Sequence, residues 1–113
     1  GLQAEGEAEV LVHWALAEDI RALKRVKDAM NAGKPLPMAL RENRIWGPKE
    51  RLFERILPKA SDAALARLLQ SAHVVDGIVK GLKQPDWPQD GWQALQRLAL
   101  QLGRVCAGLP RRG

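Results

Sequence analysis

Apolar residues recur three or four positions apart through most of the chain. Val12, Leu16, Ile20, Leu23, Val26 and Met30 form one such stripe, and Arg21, Lys24, Arg25 and Asp28 lie away from it. The spacing predicts a helix from about Glu7 to Met30, with acids early and bases later, as the helix dipole favours. Asn31-Ala32-Gly33 is its predicted stop, and Pro35 opposes continuation. Pro37 opens a short helix through Met38, Leu40 and Arg41. Pro48 opens another, containing Leu52, Phe53, Ile56 and Leu57, because proline at the first helical position loses no intrahelical hydrogen bond. Pro58 marks its end. Gly47 supplies the sharp turn before it, and Trp46 is placed to pack back over its first turn.

Ser61 is a predicted N-cap, with Asp62 in the first turn behind it. Leu65, Leu68, Leu69, Ala72, Val75, Val79 and Leu82 then continue as one stripe, with Gly81 as the stop. Asp76 and Lys80 stand four apart in the favourable order, acid before base. Residues 83–91, KQPDWPQDG, hold two prolines, a glycine and a tryptophan and read as a loop. Asp90 can cap a last helix whose apolar face is Trp92, Leu95, Leu98, Leu102 and Cys106. No period-2 strand and no internal repeat interrupts this pattern. The predicted fold class is all-α, a compact bundle of four to five helices whose short links favour antiparallel neighbours.

The opening Gly1-Leu2-Gln3-Ala4-Glu5-Gly6 reads as the end of a preceding helix and its stop, and there is no initiator methionine. The expected organisation is therefore a fragment of a longer protein: residues 1–6 a helix tail, 7–108 a helical domain, and 109–113, LPRRG, a fraying C-terminal tail. At 113 residues the chain is long enough to bury a core as one domain. No apolar run approaches the roughly 20 residues that cross a bilayer, and no leader resembling a signal peptide is present. Cys106 is the only cysteine, so no internal disulfide can form, and a cytoplasmic location is expected.

Charge changes the picture more than composition does. The net +5 is uneven: residues 1–20 carry five acids and no Lys or Arg, whereas residues 21–59 carry eleven bases and four acids. Such asymmetry suits a docking face or a nucleic-acid surface, and it also suits solvated helix flanks. Catalytic equipment is thin. Threonine and tyrosine are absent, Ser61 and Ser71 are the only serines, and His13 and His73 lack the close His, Cys or acidic neighbours of a metal motif. Neither a GxxxxGK[ST] loop nor a GxGxxG motif occurs, so no catalytic residue, metal or other cofactor is expected.

Four segments, LVHWALAEDIRAL, RIWGPKERLFERIL, VVDGIVKGL and WQALQRLALQL, follow one another in this order. Together they resemble the C-terminal domain of the delta subunit of the bacterial DNA polymerase III clamp loader. The matching positions are Trp14 to Arg21, Arg44 to Pro48, Val75 to Gly81 and Trp92 to Leu102. That resemblance implies a helical collar domain: a non-catalytic assembly unit joining delta to gamma/tau and delta prime within the polymerase holoenzyme. It further implies that the sliding clamp is bound only by the missing N-terminal part, and that primed template is met through the assembled complex.

The candidate residues divide accordingly. Arg21, Lys24, Arg25, Arg41, Arg44 and Arg51 are expected at subunit interfaces. Trp46, Gly47, Pro48, Asp76 and Lys80 are expected to be structural, with a partner anchor as the alternative role for Trp46. Lys83, Gln84 and Trp87 are candidates for DNA contact, because an aromatic beside a base on a loop suits stacking on an unpaired nucleotide. The alternative for Trp87 is a plug over the helix ends. An autonomous basic helical domain that binds nucleic acid is the competing function, and the salt dependence of binding distinguishes it.

Overall fold

A computed structural model describes residues 2–108, with side chains from Ala8 onward. Among these residues the fold is all-α: α1 (Leu2–Asn31), α2 (Leu36–Glu42), α3 (Pro48–Ile56), α4 (Asp62–Val79) and α5 (Gly91–Cys106). The expected C-terminal tail, 109–113, lies outside the described residues. The expected break at Gly6 does not occur, because α1 runs unbroken from Leu2. A lone glycine costs a helix only about 1 kcal/mol against alanine, and no proline follows it. Flanked by Ala, Glu and Gln, it is too weak a stop.

The helix ends explain the chain path. Gly33, with φ 96°, sits in the left-handed conformation just past α1. Lys34 N–H donates to Ala29 O and Gly33 N–H to Met30 O, each at 3.0 Å, which closes a Schellman motif. The same pair of bonds ends α4, from Leu82 to Gly77 (2.9 Å) and from Gly81 to Ile78 (3.0 Å). At α2 it recurs from Ile45 to Leu40 (2.9 Å) and from Arg44 to Arg41 (3.0 Å), but there the left-handed position is occupied by Arg44, φ 58°. The expected caps also form: Ser61 Oγ accepts from Ala64 N–H and Asp90 Oδ2 from Gln93 N–H, each at 3.1 Å.

Three helices build the body. α1 packs along α4, α4 along α5, and α1 also meets α5 and α2. Asn31 donates to Asp62 (2.8 Å) while His13 reaches Ala72, so α4 runs antiparallel to α1. Glu9 lies against Gly91, which sets the start of α5 beside the early part of α1. α3 runs parallel to α1: Lys49 at its start pairs with Asp19 (2.8 Å), and Lys27 donates to the Leu57 carbonyl at its end (2.9 Å). α2 therefore carries the chain back along α1, and α3 descends beside it.

One core joins all five helices. Ile20, Leu23, Val26, Leu40, Leu57, Leu65, Leu68, Val75 and Leu98 are its fully buried large side chains. Each contributes about 1.5–3 kcal/mol of burial. The predicted stripes need adjustment at their ends. Val12, Leu52, Leu82 and Trp92 are exposed, whereas His13, Ala17, Ala22, Ala60 and Ala94 are buried. Close approach of α1, α4 and α5 favours small side chains at the crossings, and apolar spacing alone does not reveal which turn crosses.

Candidate interaction surface

The Schellman motif at the end of α2 decides where the intervening segment points. Its second residue past the cap, Ile45, folds back on the helix and is 7% exposed, part of the core. Trp46 follows and faces solvent, at 66% exposure. This corrects the expectation that Trp46 packs over the first turn of α3: Ile45, the residue before it, is the one buried in the core. Gly47, φ 69° and ψ −147°, then turns the chain into Pro48, the first residue of α3, as expected.

On α3, Phe53 and Ile56 face the core, helical periodicity puts Arg51 and Arg55 on the opposite, exposed side, and Leu52 is exposed at the edge of the buried face. Arg41 at the end of α2 and Arg44 in the turn are also exposed. Among the described residues, Arg41, Arg44, Arg51 and Arg55 make no ion pair and no side-chain hydrogen bond. Glu50 and Glu54 flank them on α3.

The other three basic candidates behave differently. Arg21 and Arg25 both pair with Glu18 (3.2 and 3.3 Å), and Arg25 Nε donates to Asn43 Oδ1 at 3.1 Å. Lys24 pairs with Asp28 one turn on. The Arg25 hydrogen bond first, and the Arg21 one second, hold the Glu18 carboxyl below its ordinary pKa. Their charges are answered within the chain, and Arg25 helps tie the α2–α3 turn to α1. The six interface candidates thus fall into two sets, Arg21, Lys24 and Arg25 internally paired, Arg41, Arg44 and Arg51 not. Arg55 belongs with the second set and was missed because nothing in its spacing separates it from an ordinary helix flank.

Trp87 occupies the other loop. Asp86 takes the left-handed conformation, φ 70°, and Trp87 N–H donates to Gln84 O (3.2 Å). The ring is half-buried against the core, and the Arg97 guanidinium lies 4.1 Å from its centroid. Arg97 also donates to the Asp86 carbonyl at 2.6 Å, which fixes the cation over the ring. Lys83 and Gln84 are exposed beside it. This geometry is that of a plug clasped by its own helix. Arg97, two turns into α5, gave no sign of that role in its spacing.

A second polar group lies inside the bundle. His13, 8% exposed, donates from Nε2 to the Ala72 carbonyl at 2.8 Å, and its Nδ1 stands 3.8 Å from Asp76 Oδ1. Asp76 in turn pairs with Lys80 at 3.0 Å, as expected from their spacing. Nε2 is engaged by a main-chain carbonyl, and Nδ1 faces the Asp76 carboxylate. The group cross-links α1 to α4. Burial raises the Cys106 thiol pKa, so Cys106 stays protonated and packs as a small apolar side chain.

Two apolar features remain on the surface. α3 begins level with Asp19, so the same face of α1 one and two turns earlier, Ala15 and Leu11, is uncovered. Trp14, 65% exposed, adjoins it on α1. An open apolar hollow runs along α5 past Gln96, Ala99, Leu100 and Gly103. No helix among the described residues is long and apolar enough to cross a membrane. Searches against protein-family models, curated proteins and solved structures gave no match to this chain.

Proposed function

We propose that this chain is a non-catalytic assembly domain of the clamp-loader delta type, joining its subunit to gamma/tau and delta prime in the cytoplasm. The observation that carries this reading is the position of two tryptophans from the resembling segments. Trp14 of WALAEDIR and Trp46 of RIWGP are both about two-thirds exposed, while the core is complete without them. A large aromatic kept on the surface beside arginine is the composition of a protein interface centre. Burying it against a partner recovers apolar surface that the isolated fold leaves in water.

Co-purification of the chain with gamma/tau and delta prime tests the proposal. Retention of this domain by those subunits is the expected result; passage through the column with neither subunit bound overturns it. A basic nucleic-acid-binding domain is the second reading, favoured by the unpaired arginines of α2 and α3 and by the net charge of +5. On that reading the isolated chain binds duplex, and log affinity falls steeply and linearly with log salt.

A further inference from the structure

Arg44 occupies a backbone position that glycine fills at the ends of α1 and α4. At φ 58° a side chain with a Cβ is strained relative to the ordinary helical conformation. The backbone N–H of Arg44 serves the Schellman motif, but its side chain makes no hydrogen bond or ion pair among the described residues. It lies two residues before the exposed Trp46. Arg41 precedes it, and Arg51 and Arg55 follow on the outward side of α3, with Leu52 exposed at the edge of the buried face. Lys34, Lys49, Arg21 and Arg25, by contrast, all have acids of their own.

We infer that the outward side of the α2–α3 arm, centred on Trp46 and Arg44, docks an acidic protein surface whose carboxylates surround an apolar pocket. The inference rests on the assembly reading and supplies the chemistry of its partner. Arginine forks pair with carboxylates in bidentate fashion, and the exposed Trp46, two residues from Arg44, provides an apolar anchor beside them. A polyphosphate chain fits less well. The exposed Trp46 puts a large apolar surface beside the arginines, which a phosphate chain would leave in water and a protein pocket would bury. The uncovered Leu11 and Ala15 face of α1, just beyond the start of α3, extends the apolar surface and offers nothing to a nucleic-acid backbone.

The test measures binding of the chain to purified gamma/tau with delta prime, and separately to a primed oligonucleotide duplex, by interferometry. The variants are Trp46→Ala, Arg44→Gly, the pair Arg44→Glu with Arg51→Glu, and Arg67→Glu as an exposed control on α4. Binding of the subunits is expected to weaken about tenfold or more for Trp46→Ala and for the double reversal, and less than about twofold for Arg67→Glu. Arg44→Gly is expected to weaken binding while its melting temperature stays at or above that of the parent, which excludes misfolding as the cause. Affinities of all variants within twofold of the parent overturn the inference and leave the assembly reading standing. Absence of subunit binding by the parent chain overturns both. Tight duplex binding that is lost in Trp46→Ala overturns the acidic protein partner in favour of nucleic acid.

Discussion

The loop before α3 and the loop before α5 are built from similar parts and do opposite things. Each holds a tryptophan, at least one basic residue and a non-glycine residue in the left-handed conformation, Arg44 in one and Asp86 in the other. In the first, Ile45 takes the inward place and Trp46 is left in solvent. In the second, residues 82–86 are all exposed, so Trp87 is the apolar group available to cover the junction of α4 and α5. Arg97 then closes over it. Local composition does not decide whether a loop tryptophan is buried. The neighbour that competes for the inward position does.

That contrast can be broken most forcefully at its hinge. Ile45→Ala removes the residue that displaces Trp46, and is expected to destabilise the chain by about 2–4 kcal/mol in denaturant unfolding. A loss within about 0.5 kcal/mol contradicts the assignment of Ile45 to the core. Trp87→Ala comes next, at about 2 kcal/mol, below the range for fully buried tryptophan because the ring is only half-buried. Arg97→Ala, which removes the clasp and keeps the ring, is expected to cost about 0.5–1 kcal/mol. If the two alanine variants are additive when combined, ring and cation are not coupled and the clasp fails.

The smallest expected effect concerns the internally paired bases. Glu18 has a folded pKa below its ordinary 4.5, through Arg25 and then Arg21. An unfolded chain therefore binds the proton more readily, and the stabilisation is present above about pH 4.5 and lost as pH falls through the depressed folded value. Glu18→Gln is expected to flatten that part of the stability–pH curve slightly, as a solvent-screened pair should. An unchanged slope means that Glu18 contributes nothing to the acid limb.

Much of the architecture was legible from spacing. Pro48 at the first position of α3, Ser61 and Asp90 as caps, and Gly33 and Gly81 as stops are local devices whose chemistry is written in single residues. The pairing of Asp76 with Lys80 needed only the helical repeat. What spacing could not show depends on neighbours far along the chain. His13 replaces Val12 inside because the Ala72 carbonyl lies opposite it, 59 residues away. Trp46 was expected inside because the Schellman geometry at Arg44 has no glycine to announce it. The split between paired and unpaired arginines depends on which acids α1 and the α2–α3 turn bring together, so a run of bases read as one surface resolves into two.

The central claim is that the fold can spare Trp46 and that a partner cannot. Trp46→Ala and Trp87→Ala, made side by side, test it through melting temperature and retention by gamma/tau with delta prime. Trp46→Ala is expected to melt with the parent chain and lose retention, while Trp87→Ala melts several degrees lower and is retained below its melting temperature. Early melting of Trp46→Ala, or its undiminished retention, contradicts the account.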